Sequence, residues 1–149
     1  NEDKGVKVDL TNPDVTFFVE ARDNRAFVFQ DYIRCHAGLP VGTQGKVVAE
    51  LDGSDRALVS AWLMMKRGCR VYSSTECDGS PLKQYDPYFR AFNPDKDNMS
   101  RMLGIVKGSD LQGIEGFDAS QYELPVYFPT VGMSDEEVSE IAEVIRQGL

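Results

Sequence analysis

Apolar residues recur along this chain with two different periods, and the changes of period mark out its elements. Val15 to Ala21 and Ala26 to Tyr32 are dense in β-branched and aromatic residues, with Arg22-Asp23-Asn24-Arg25 between them as turn formers, so a β-hairpin is predicted. Both of its faces carry large apolar groups: Phe17, Phe18 and Val19 on one arm, Phe27, Val28 and Phe29 on the other. A lone hairpin is marginal in water, so this one is expected to lie against the rest of the domain or a second subunit. Residues 37–46 read as a Gly/Pro-punctuated linker.

A clearer unit follows. Val47 to Leu51 reads as a strand, and Leu58, Ala61, Trp62 and Met65 place an apolar stripe on a helix from about Asp55 to Arg67. Gly68 is suited to close it, with Lys66 and Arg67 favourably placed in the last turn. A second strand, Cys69 to Ser73, completes a βαβ unit and so predicts parallel pairing. From Ser74 to Arg101 the pattern fades into turn formers and charges, with Tyr85, Tyr88, Phe89 and Phe92 as its anchors. Met102 to Val106 and Pro125 to Phe128 read as further strands, with a loop or a short helix near Leu111 between them. The last helix has the strongest signal: Ser134 and Glu137 form a capping box ahead of Val138, Ile141, Ala142 and Ile145. The expected fold class is α/β, a small parallel-sheet, Rossmann-like layer with an N-terminal hairpin.

Composition narrows the function. The 149 residues suffice for one compact domain, and no apolar stretch approaches the ~20 residues that span a bilayer. With no basic-then-apolar leader at its start, the chain is expected to be cytoplasmic and without a membrane partner. Cys35, Cys69 and Cys77 are odd in number and lack CxxC spacing, which argues against a disulfide framework. A net charge of −8 disfavours nucleic-acid binding over the whole surface. The one tight basic cluster, Lys66, Arg67 and Arg70, leaves room for a local RNA or phosphate patch.

Three segments invite chemical readings. Gly42-Thr43-Gln44-Gly45-Lys46 has the tail of a phosphate loop, yet Pro40 stands where the first glycine belongs and Lys46 leads into a strand, so it reads as linker. Cys35 and His36 with Cys69 and Cys77 match no usual zinc spacing, and no metal is expected. Adjacent Cys35 and His36 also lack a third orienting group, so no catalytic residue is assigned. The third segment, the turn at residues 52–57, sits after the first strand of the βαβ unit and at a helix N-terminus, where such folds hold nucleotides.

Around that turn the sequence resembles a known family. Gly38-Leu39-Pro40-Val41-Gly42, Gly45-Lys46-Val47 and Ala61 to Gly68, with Leu124-Pro125-Val126, Pro129 to Met133 and Glu136 to Ala142, are similar to the ThiI family. These are the tRNA 4-thiouridine synthetases, also linked to thiamine biosynthesis. The resemblance covers roughly residues 7–74 and 101–147. It implies that residues 1–46 are the closing hairpin of a THUMP (RNA-binding) domain plus linker, and that residues 47–149 are a shortened PP-loop ATPase domain.

The departures shape the functional expectation. Where the family's phosphate loop reads Ser-Gly-Gly-x-Asp-Ser, this chain has Asp52, Gly53, Ser54, Asp55, Arg56 and Ala57. Only Gly53 survives. The carboxylates of Asp52 and Asp55 can satisfy the helix N–H groups and repel phosphate, while Arg56 offers one compensating charge. The stretch from Ser74 to Met102 is shorter than the family's, Gly108-Ser109-Asp110 only echoes its Gly-Asp-Ser strand end, and its persulfide cysteine lies beyond the final helix. The expectation is a degenerate nucleotide loop with no cofactor, ATP being the one the family implies, in a non-catalytic binding or scaffolding module. A homodimer through the hairpin, tRNA, or a thiolation protein are the candidate partners. The alternative is a partner-dependent participant in tRNA 4-thiouridine synthesis that keeps weak adenine-nucleotide or tRNA binding.

Overall fold

A computed structural model describes residues 8–33 and 35–148; the part of the expected N-terminal unit at residues 1–7 lies outside the described residues. The chain divides into two compact units between Cys35 and His36. The sequence reading carried the first unit through residue 46.

In the first unit, β1 (Phe18–Arg22) pairs antiparallel with β2 (Arg25–Phe29), and Phe18 faces Phe29 across the ladder. Asp23 takes a left-handed φ of 47° in the turn, a conformation Asp tolerates because its short side chain bonds locally. Phe18 and Phe29 stack, and Tyr32 meets both rings edge-on. The alternate face, with Phe17, Val19 and Val28, is exposed.

The second unit is built on a five-stranded, wholly parallel sheet: β3 (Lys46–Ala49), β4 (Arg70–Ser73), β5 (Arg90–Ala91), β6 (Ile105–Val106) and β7 (Val126–Tyr127), in the spatial order β5-β4-β3-β6-β7. Counted in sheet order the strands run 3-2-1-4-5, so the direction of winding reverses between β3 and β6, as in Rossmann-like folds. Pairing is shorter than the apolar runs predicted. Cys69 and Met102–Gly104 lead into β4 and β6 without joining them, and β5 and helix α2 (Ser80–Lys83) lie inside the stretch where the pattern faded.

Helix α1 (Asp55–Lys66) is defined at both ends by its own sequence. The Ser54 hydroxyl accepts from Ala57 N–H at 3.2 Å. At the other end Gly68, at φ 85°, donates to Met65 C=O while Cys69 donates to Met64 C=O, the paired bonds of a Schellman motif. The Gly/Pro linker docks on that same end: Leu39 N–H reaches Lys66 C=O, and Gly42 and Gln44 N–H both reach Gly68 C=O. An added Cβ at Gly38 would stand 2.4 Å from the Lys66 oxygen, so this approach requires glycine. Helix α4 (Asp135–Gln147) opens with the full capping box of Ser134 and Glu137.

Alternation along the strands gives the sheet two unlike faces. Val47, Ala49, Val71 and Val106 pack with Val59, Met65, Ala142 and Ile145 of α1 and α4. On the opposite face Val48, Tyr72 and Ile105 meet Met102, Phe92, Tyr122 and Leu124, all supplied by connecting segments rather than by helices. Parallel sheets bury both faces. Here irregular chain does on one side what helices do on the other.

Candidate functional site

Ligands of wound parallel sheets bind outside the carboxyl ends of the strands, where the winding reverses. In this chain that position falls between the loop after β3 (Glu50–Ser54) and the loop after β6 (Lys107–Asp110). Every residue of the family-like turn is found there, and the side chains of Asp52, Ser54, Asp55 and Arg56 are each engaged.

Asp52 accepts from the Ser54 N–H at 2.9 Å and from its hydroxyl at 2.6 Å, bonds that hold its carboxyl below the usual aspartate range. Ser54 in turn spends its oxygen on Ala57 N–H. Asp55, the first helical residue, pairs with Arg146 at 2.5 Å. Gly53 keeps a left-handed φ of 88° with open space where a Cβ would point.

Arg56 does not face the turn. Its partly buried guanidinium donates to Thr130 C=O at 2.9 Å and Met133 C=O at 3.2 Å, and pairs with Asp135 at 2.5 Å. It therefore fastens the start of α1 to the segment leading into α4. Ser60 and Thr130, both fully buried, add a hydroxyl–hydroxyl bond of 3.0 Å between the same elements. The compensating charge expected from the sequence is thus committed to packing.

Gly108 closes the turn from the other side. A Cβ there would stand 2.3 Å from Ala57 N, so the loop after β6 lies directly on the first turn of α1. Asp110 caps the four-residue helix α3 (Leu111–Ile114) through Gly113 N–H. Between the two loops Lys107 donates to the Glu50 carboxylate and, at 2.7 Å, to the Tyr122 hydroxyl. Burial pushes the Lys107 ammonium down, but these two bonds outweigh it and hold the pKa above the ordinary lysine value. No signal in the sequence pointed to Lys107, Glu50 and Tyr122, which meet only through strand pairing.

A hollow of about 250 Å³ lies beside the turn, bordered by Leu51, Gly53, Ser54, Leu58, Asp78 and Arg146. A larger one of about 540 Å³ opens past β4 and β5, next to Cys77, Phe89 and Asn93. Cys69 is buried before β4 and Cys77 is exposed after it, so the two thiols sit at opposite ends of one strand. Among the described residues no group of three His, Cys, Asp or Glu is placed to hold a metal ion. Among them, too, no helix is long and apolar enough to cross a membrane.

The basic cluster is at the other end of the sheet. Lys66 and Arg67 close α1, and Arg70 begins β4. With 1.5 Å of rise per residue, a helix of 12 residues puts ~18 Å between them and the turn.

Fold and site together define a Rossmann-like α/β domain with a parallel sheet. Comparison with known proteins gives the relationship. The chain is similar to a probable tRNA sulfurtransferase of Methanobrevibacter smithii, 48% identical over 78 residues, which is 52% of this chain and 20% of that protein. It is also similar to one of Thermococcus kodakarensis, 28% identical over 97% of this chain and 52% of that protein. Among solved structures it resembles PH1313 from Pyrococcus horikoshii, with a TM-score of 0.64 and 25% identity over 95% of this chain and 53% of that one. No protein-family model matches. The chain is therefore homologous to the tRNA sulfurtransferases, and the resemblance read from its sequence holds. It spans about half the length of the Thermococcus relative and one fifth of the Methanobrevibacter one. The Thermococcus match runs over 200 residues against the 149 of this chain, so at least 51 positions have no counterpart here.

Proposed function

We propose that this chain is a non-catalytic binding or scaffolding module related to tRNA thiolation and thiamine biosynthesis, in which the nucleotide loop has become a structural joint. The observation that carries this reading is Arg56. In the family-like turn it holds the position of an acidic residue, and its guanidinium is bound to Thr130, Met133 and Asp135 instead of facing a phosphate. Asp52 and Asp55 support the same reading, since they place carboxylates at the end of α1 that would otherwise attract an anion. Incubation with ATP, Mg²⁺ and tRNA, followed by assay for released phosphate and pyrophosphate, is expected to give no release above the protein-free control. Protein-dependent release would overturn the reading.

The hairpin supplies the scaffolding element of this proposal. Phe17, Val19 and Val28 form an exposed apolar face on a two-stranded sheet, and a homodimer through that face would cover it. Sedimentation across a hundredfold range of concentration is expected to show a dimer. A monomer throughout would remove this element.

One observation favours a second reading, a partner-dependent participant in 4-thiouridine synthesis with weak adenine-nucleotide binding. Gly53 keeps its left-handed backbone and opens onto the hollow bordered by Arg146. At about 250 Å³ that hollow falls below the ~300–1,000 Å³ of ordinary ligand sites, which weighs against it.

A further inference from the structure

Carboxylates gather at the carboxyl ends of the sheet, where Arg56, Lys107 and Arg146 are ion-paired with them, and Lys46, Lys66 and Arg67, which have no ion pair among the described residues, gather at the amino ends. Asp52 and Asp55 follow β3, Glu76 and Asp78 follow β4, Asp110 follows β6, and Asp135 meets Arg56 at the start of α1, so carboxylates gather at the carboxyl ends. The amino ends carry the opposite sign. Lys46 begins β3 and is paired in register with Arg70, which begins β4, and α1 delivers Lys66 and Arg67 to the same end. The carboxylates nearest this cluster are engaged: Asp86 is buried 3.3 Å from Arg70, and Asp97 is bound by Arg90. Glu123 precedes β7 at the far edge of the sheet.

Aromatic rings are set among these cations. The Arg70 guanidinium lies 5.5 Å from the ring of Tyr88, which is 74% exposed. The Lys66 ammonium is 4.6 Å from the Trp62 ring, Trp62 meets Tyr85 edge-on, and the His36 ring lies 4.0 Å from Tyr85. Exposed Lys46 and Arg67, half-buried Lys66 and an exposed ring beside a guanidinium supply what a single-stranded nucleic acid requires: charge that tracks its phosphates and a flat face on which a base stacks.

We infer that the amino ends of β3 and β4 form an RNA-binding surface, in which Lys46, Lys66 and Arg67 hold the phosphates of a single-stranded segment and Tyr88, backed by the Arg70 guanidinium, stacks on one of its bases. RNA rests on the proposed role in tRNA thiolation; the position of the surface rests on the sheet. It lies opposite the end where wound parallel sheets bind nucleotides.

Fluorescence anisotropy with a labelled tRNA transcript, at 50 and 200 mM salt, tests the surface. The native chain is expected to bind with an affinity that falls steeply with salt. Joint substitution of Lys46, Lys66 and Arg67 by alanine should weaken binding at least tenfold and flatten the salt slope by about two, since each released phosphate contact contributes ~0.7–0.9 to it. Tyr88→Ala, at an exposed position where the fold has little at stake, should cost about tenfold with the slope unchanged. Lys83→Ala, on α2, should leave binding as it is. Native-like binding and slope in both amino-end variants would overturn the surface while leaving an RNA-binding role intact. No binding by the native chain at 50 mM salt would overturn the surface outright, whereas the reading of the nucleotide loop is decided by ATP and stays independent of this result.

Discussion

The two ends of the parallel sheet use their polar residues in opposite ways. At the carboxyl end, Asp52 and Ser54 bond each other and the backbone, Asp55 pairs with Arg146, Arg56 binds two carbonyls and Asp135, and Lys107 meets Glu50 and Tyr122. At the amino end, Arg67 is exposed and Lys46 and Lys66 lean on aromatic rings, with only Arg70 held by a carboxylate. A charge enclosed by its own protein stabilises a fold, while one left in water is available to a partner. On the proposed reading, the end that such folds devote to ligands serves packing in this chain.

Substitutions at the two ends should therefore separate stability from binding. The largest effect on folding is expected from Arg56→Ala, which strands the carbonyls of buried Thr130 and of Met133. Charge-assisted bonds contribute ~1.5–3 kcal/mol, and the pair with Asp135 adds little because that carboxylate is exposed, so a loss of about 3 kcal/mol in urea denaturation is predicted. Gly108→Ala comes next, at about 2 kcal/mol, because a Cβ 2.3 Å from Ala57 N forces two backbones apart. Ser54→Ala should cost about 1 kcal/mol by removing the cap of α1. Arg67→Ala, at the other end, should stay within ~0.5 kcal/mol of native stability. If it destabilises the fold as much as Arg56→Ala does, the contrast between the ends fails.

A pH profile sharpens the comparison further. The Arg90 guanidinium, then the Asn93 N–H, hold the Asp97 carboxyl at about 2, below its ordinary 3.8. A depressed carboxylate stabilises the folded state above the unfolded pKa, and that contribution disappears as pH falls from about 4 towards 2. Asp97→Asn should thus be less stable than the native chain at pH 7, with the gap in denaturation midpoint closing below about pH 3. A gap that stays constant down to pH 2 would show that the carboxylate's charge contributes nothing.

Much of this architecture was legible in the residues because it is written locally. The Ser54 and Ser134 caps, the Gly68 terminator and the apolar stripes of α1 and α4 each depend on neighbours within one or two turns, and each is found in place. Strand β5 was not legible: it has two residues, set in a run of turn formers, and exists only because Tyr72 and Ser73 offer it an edge. The two family-like runs, Gly38 to Gly42 and Leu63 to Gly68, prove to be halves of one hydrogen-bonded joint by which the linker seats on α1. The turn at residues 52–57 was located correctly at the end of β3, yet the placement of Arg56 was beyond the sequence. Its partners lie 74 and more residues away, and no local pattern announces them. Lys46 and Tyr88 were likewise joined to Lys66, Arg67 and Arg70 only by the pairing of β3, β4 and β5.

The most direct test of the closed carboxyl end is a calorimetric titration of the native chain with ATP, with and without Mg²⁺. The account predicts no saturable heat in either condition, because the carboxylates of Asp52 and Asp55 and the seated loop at Gly108 exclude a phosphate from α1. Saturable binding of one nucleotide per chain would contradict it, and would return this turn to the chemistry of a nucleotide site.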